Sequence, residues 1–415
     1  MPATPHVRTG LAIALLALLA VVQPGAQSNP TFPADRVLTH REQATHVRGW
    51  VERRFDTLLP MLMKRTGLDM WIVISREYND DPVFRSMAPL TTFSSRRRTI
   101  LVFSLADDRV ERFSVGRFDY DRLFTLVQTP NDGQWEGLRK LVDARNPATI
   151  GVNTSNAWNH ADGLTANERD QLVATLGPAH AGRIRSAEML AVGWLEAKLP
   201  EETAAYRHVM TVAHQIIREA FSNAVITPGV TTTDDVVWWM RQRVATLGLG
   251  SWFHPSVSIQ RAGGEVPASR IILPGDMLHT DFGIVYLGFS TDTQHNAYVL
   301  RPGETAAPEG LRRALAQANA LQDIVMDEIR PGRTGNEILA ASLARMREGR
   351  INGTVYSHPI GLHGHGAGPL IGLWDYQDGV PGRGDARIIP GMWWSIELQA
   401  TTAVPEWGNQ QIRMA

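Results

Sequence analysis

The 415-residue sequence contains no cysteine, which excludes disulfides, thiol nucleophiles, thiolate metal ligands and a lipid-modified cysteine anchor. Any bound metal must be held by oxygen and imidazole. A charge imbalance is also missing: 41 basic and 42 acidic residues leave a formal net charge of -1. Such a surface has no long-range field with which to hold nucleic acid or an anionic membrane. The one basic run, Arg96 to Arg98, precedes the apolar Thr99-Ile100-Leu101-Val102-Phe103 and reads as the solvated entrance to a strand. The apolar run from Leu11 to Val22 covers twelve residues, about 18 Å of helix, which is short of the roughly 30 Å a permanent membrane anchor must span. Preceded by His6 and Arg8 and followed by Gln23-Pro24-Gly25-Ala26, it has the form of a signal peptide over residues 1–26. Cleavage is expected after Ala26, with a periplasmic or secreted destination.

What remains is 43% hydrophobic and 20% charged, enough chain for about two ordinary domains. Val51 to Met63 reads as a helix, and Asp69 to Ile74, Ile100 to Phe103 and Thr149 to Val152 read as strands. These place an α/β domain over about 40–195. Its acids and His160 fall in no spacing that chemistry requires and read as scattered surface charge. A helix is expected from Glu201 to Ser222, with Pro200 and two acids in its first turn, and the second domain runs from there to 415.

That second domain contains an internal echo. Ile226-Thr227-Pro228-Gly229-Val230-Thr231 returns as Ile329-Arg330-Pro331-Gly332-Arg333-Thr334, with acids at the matching Asp234 and Glu337. Phe253-His254-Pro255 returns as Ser357-His358-Pro359. Pro274-Gly275 stands seven residues before Asp281, and Pro390-Gly391 seven before Glu397. The common order predicts two related halves, each of helices followed by strands, facing one another.

Asp281 and Asp292 are the residues on which chemistry converges. A hairpin turning at Tyr286-Leu287 would place them directly opposite on one face, where two like charges are destabilising without a cation between them. Glu397, the counterpart of Asp281, lies in Trp393-Trp394-Ser395-Ile396-Glu397-Leu398, too apolar a strand for an idle charge. An imidazole is expected from the glycine-rich Gly361 to Pro369, with His365 the first choice and His358 and His363 beside it. The same stretch lacks the Lys-Ser/Thr pair of a phosphate loop. Arg383-Gly384-Asp385 matches an adhesion tripeptide, which a Gly-rich loop produces by chance. Most of the tryptophans, Trp238, Trp239, Trp252, Trp374, Trp393, Trp394 and Trp407, are better explained by core packing than by a specificity pocket.

The run Pro274 to Gly283, Asp292 eleven residues after Asp281, Gly364-His365-Gly366-Ala367-Gly368, and Gly391 to Glu397 together resemble the ordered ligand set of the M24 metallopeptidase superfamily of methionine aminopeptidases, prolidases and Xaa-Pro aminopeptidases. The resemblance covers about 200–415, while about 45–195 is similar in layout to the N-terminal domain of creatinase and aminopeptidase P. It implies an α/β (α+β) protein with a creatinase-like N-terminal domain and a pita-bread catalytic domain. It further implies two divalent ions (Mn, Zn, Co or Fe), with Asp281, Asp292, His365 and Glu397 as ligands. Glu397, His363 and His358 are then the candidate catalytic residues, and a hydroxide shared by the metals is the nucleophile. The substrate would be a peptide, an Xaa-Pro bond at an N-terminus or in a dipeptide, or another small molecule; a homodimer is left open.

Three features depart from the family. Family peptidases carry a histidine some fifteen to twenty residues before the first aspartate, where this chain has Gly263-Gly264-Glu265-Val266-Pro267; His254, His279, His358 and His363 are the candidates to replace it. A second histidine, seven residues after the ligand histidine, falls on Gly372 when His365 is the ligand. The fifth ligand, a glutamate of the last strand, has no match among Gln410, Gln411 and the residues to Ala415, and is expected at or just beyond that position in a longer protein. Two rivals therefore stand beside the peptidase reading: a non-peptide hydrolase on the same fold, as in creatinase, and a non-catalytic peptide-binding protein.

Overall fold

A computed structural model describes residues 32, 36–130 and 133–415; the expected signal peptide lies outside the described residues. No helix among them is long and apolar enough to cross a membrane.

The N-terminal domain is built on six strands, β1 (Met70–Arg76), β2 (Arg98–Ala106), β3 (Arg109–Gly116), β4 (Thr125–Gln128), β5 (Ile150–Val152) and β6 (Ile184–Ser186), in the order β4-β3-β2-β1-β5-β6. The unbroken apolar run of β1 is buried on both faces because helices cover the sheet on either side. The expected helix at Val51 is part of a longer run: His40–Arg53, a π-helical turn at Arg54–Leu58, and Leu59–Thr66 ending on left-handed Gly67. The π turn carries Arg54, which is buried and reaches Glu202 Oε2 at 2.8 Å on the far side of the domain boundary. Arg96 and Arg97 are exposed at the entrance to β2, as expected of the basic run, but one of its residues and one acid of the domain are not solvated. Arg98 turns inward to the buried Glu168 at 2.7 Å, and Asp81 is buried against Asn153. Both charges are satisfied by partners that sequence spacing does not reveal.

The helix Pro200–Ala220 opens the second half, its Glu202 carboxylate accepting the Leu199 amide at 2.7 Å. With Thr233–Thr246 it packs beside the antiparallel sheet β11-β8-β7, formed by β7 (Ser256–Gln260), β8 (Met277–Phe282) and β11 (Thr293–Tyr298). Glu309–Glu328 and Gly335–Glu348 do the same for β12 (Asn352–Ile360), β13 (Trp393–Val404) and β14 (Gln410–Met414), ordered β12-β13-β14. The echo is structural. Gly229 donates to Ile272 O and Gly332 to Ile388 O, each acceptor two residues before the next Pro-Gly. The helices behind them start on capping boxes, Thr334 with Glu337 and Thr232 with Asp235, so the first cap lies one residue later than the Thr231 and Asp234 of the sequence match.

The hairpin between β8 and β11 differs in register from the reading above. Its tip strands, β9 (Val285–Tyr286) and β10 (Phe289–Ser290), turn at Leu287-Gly288, both left-handed at φ 57° and 77°, the backbone of a two-residue type I′ turn. Asp281 is thereby paired with Gln294, not Asp292. Shifting the register by two residues keeps the same face, so Asp292, just before β11, remains a neighbour of Asp281 along that face.

Candidate metal centre

Asp281 lies on β8 and Glu397 on β13, the central strands of the two sheets. On β12, His358 pairs with Ser395 and Tyr356 with Glu397, so both side chains point to the face that carries Glu397. His358 Nε2 lies 2.6 Å from Glu397 Oε1 and 3.5 Å from Asp292 Oδ2, while its Nδ1 donates to Pro359 O at 2.9 Å. Burial alone would lower His358, but the bonds to Asp292 and Glu397 outweigh it and push the ring up to about 9. Burial, then the charges of Asp292 and Glu397, raise Asp281 to about 8. Its Oδ1 is buried with no hydrogen-bond partner. Both shifts favour the protonated forms of His358 and Asp281 beside these carboxylates.

These residues fit a divalent cation. They offer hard oxygen donors and an imidazole, one carboxylate oxygen lacks any other partner, and ligand atoms of Asp292, His358 and His365 lie within 4.8 Å of one another. His365, the imidazole expected as a ligand, belongs to this group, and His358 is the ring that contacts the carboxylates directly. His365 is exposed, packs edge-on against His358 at 4.7 Å between ring centres, and leans on Trp252. Counted from His358, the place seven residues on is His365 rather than Gly372. The other absent histidine has no such answer at Gly263-Gly264, where the Gly263 amide binds Gln410. His279, two residues before Asp281 on the same face of β8, bonds Gln294 at 2.9 Å, and His254 is exposed beside Trp238.

The loop from Gly361 to Gly368 is held from several sides. Glu196 Oε1 accepts the Ala367 amide at 2.8 Å, and Trp158 donates to Gly368 O at 3.2 Å. Arg383 donates to Gly366 O at 3.0 Å; half-buried here, the first residue of the adhesion-like tripeptide braces the loop. Gly364 is required because a Cβ there would collide with the Trp252 indole. Trp252 itself donates to Thr291 O, next to Asp292, at 2.8 Å.

Sequence reasoning missed Tyr206, Tyr356 and His160. Tyr206 donates to Ser290 O at 2.9 Å and stacks on Trp393 at 4.1 Å. Burial and then the Asp292 charge push its hydroxyl upward, and burial followed by Glu397 and Asp292 do the same to Tyr356. Alternation along β12 from His358 was the available signal for Tyr356. His160 is no surface charge: its ring lies 4.4 Å from that of His363. Burial, followed by His160, pushes His363 down to about 3, leaving it neutral. Of the tryptophans, Trp407 is core, Trp238 and Trp374 are exposed, and Trp252 and Trp393 border the site.

The profile of metallopeptidase family M24 matches residues 204–414. An uncharacterized peptidase of Bacillus subtilis (strain 168), YqhT, is 23% identical over 290 residues, 69% of this chain and 73% of that protein. Among solved structures, an X-Pro aminopeptidase from Thermotoga maritima MSB8 superposes with a TM-score of 0.58 at 14% identity, covering 85% of this chain and 92% of that one. A Xaa-Pro dipeptidase from Bacillus anthracis gives 0.53 at 18% identity, covering 89% and 93%. At these identities the likeness is one of fold, and it extends through the N-terminal domain. The match spans the two sheets that carry Asp281, His358 and Glu397, with Asp292 just before β11, and the chain belongs to metallopeptidase family M24.

Proposed function

We propose that the protein is an exported, metal-dependent peptidase acting on Xaa-Pro bonds at peptide N-termini or in dipeptides. The observation that carries this is the His358 bridge between Asp292 and Glu397 beside the orphaned Asp281 oxygen. In this reading Asp281, Asp292, His358 and Glu397 hold the metal. A bound divalent ion, or a pair, supplies a Lewis acid for the scissile carbonyl and lowers the pKa of an attacking water.

The chain's own residues do the rest. Glu397, in contact with His358 at 2.6 Å, would serve as general base, and His358 would be among the residues holding the cation. His365, exposed beside His358, would bond the substrate carbonyl. Trp252 and Tyr206 wall the centre and limit water. Export rests on the apolar run Leu11 to Val22 and its flanks.

The test is turnover of a peptide library by protein loaded separately with manganese, zinc, cobalt or iron, read by mass spectrometry. Release of single N-terminal residues ahead of proline, abolished by chelation, is expected. Undiminished cleavage after exhaustive chelation, or metal binding without cleavage of any peptide, would overturn the reading.

A further inference from the structure

A cavity of about 1170 Å³ opens beside His365, whose ring packs against His358 of the metal centre. Trp252, His363 and His365 wall it from the catalytic half, and Arg85, Phe93 and His160 from the N-terminal domain. Its volume exceeds the roughly 300–1,000 Å³ that accommodates a drug-sized ligand, and a dipeptide is small on that scale. Only one residue precedes the bond that an aminopeptidase cuts. A space this large beyond His365 therefore has the leaving segment to receive.

Within that wall, His160 and His363 face each other at 4.4 Å between ring centres, tilted by 47°. They belong to different domains. His363 Nδ1 is buried and has no hydrogen-bond partner, a state that costs free energy until a partner arrives. An extended peptide brings an amide and a carbonyl at every residue, the groups a neutral imidazole can bond. On the peptidase reading above, we infer that His160 is a specificity-determining residue: with His363 it forms a subsite for the peptide backbone beyond proline, so that oligopeptides bind better than dipeptides.

The test separates this subsite from catalysis. Ala-Pro and Ala-Pro-Ala-Ala, each with the scissile amide reduced to an amine, cannot be cleaved and can be titrated calorimetrically into manganese-loaded protein. The longer analogue should bind about three- to tenfold tighter, one hydrogen bond's worth. That advantage should vanish in His160→Ala and in His160→Phe, which keeps an aromatic ring against His363 without its nitrogens, while dipeptide affinity stays unchanged. Equal affinity for the two analogues in the unaltered protein would overturn the inference, as would an advantage that survives both substitutions or an equal loss for both analogues. Should the binding pattern hold while no peptide is turned over, the subsite stands and the peptidase reading fails.

Discussion

His358 and Glu397, 39 residues apart in sequence, meet at 2.6 Å across the diagonal of β12 and β13. The contact assigns different jobs to two histidines that lie seven residues apart. His358→Ala should lose most bound metal, measured by elemental analysis, together with activity. His365→Ala should keep its metal and lose about a hundredfold in turnover, the scale of a positioned proton donor. Metal loss in His365→Ala with retention in His358→Ala would reverse the assignment.

Asp281 has an oxygen that only a cation or a proton can satisfy. Added manganese should raise the thermal midpoint, by an amount equivalent to about 2.7 kcal/mol at a hundredfold excess over Kd. Asp292→Ala should abolish that shift while leaving the midpoint of the metal-free protein nearly unmoved. A metal-induced shift of full size in that variant would exclude Asp292 as a ligand.

Arg54 and Glu202 form a buried ion pair between the domains. Removing one partner strands a buried charge, so Glu202→Ala should destabilise by about 3–5 kcal/mol. Arg54→Met combined with Glu202→Leu should cost less than the single change. Denaturant unfolding of the three proteins decides it; additive losses would show that the pair is not coupled.

Asp81 gives a pH dependence whose sign is opposite to that of an ordinary salt-bridged aspartate. Burial raises its carboxyl to about 6, against roughly 3.9 in an unfolded chain. Between those values the native state holds a proton that the unfolded chain has released. Its contribution to stability is therefore fully present below about pH 4 and falls as pH rises to about 6, by about 2–3 kcal/mol in total. Asp81→Asn cannot ionise, so its stability relative to the parent should improve over that window. A difference that is flat with pH would refute the shift.

Export is decided by N-terminal sequencing of protein recovered from the host envelope or medium. A start just after Ala26 is expected; an intact Met1 in the cytosol would sink the proposal.

Much of the catalytic half could be read before the fold was known. The echo around the Pro-Gly pairs located Asp281 and Glu397 on equivalent strands, because the turns that end those helices need glycine at fixed places. The imidazole was ambiguous for a physical reason. His358, His363 and His365 share one glycine-rich stretch, and only the end of β12 decides which ring faces Glu397. The hairpin register slipped because Leu287 adopts a left-handed conformation that its side chain does not advertise. His160 was beyond reach of spacing arguments, since its partner His363 comes from another domain.

The brace on the Gly361 to Gly368 loop ties the N-terminal domain to the candidate metal centre as well as to the packing. Glu196 and Trp158 stand outside the family-matched segment, yet one bonds the Ala367 amide and the other the Gly368 carbonyl. A fragment cut at the boundary would retain β8, β12 and β13, and with them the groups that bind a cation. It would keep the Arg383 bonds to Gly366 and Gly368 but lose two of the loop's anchors, so that His365 is held less firmly. Such a half-protein would be a metal binder with a looser aim, and the N-terminal domain is in that sense part of the active site's scaffold.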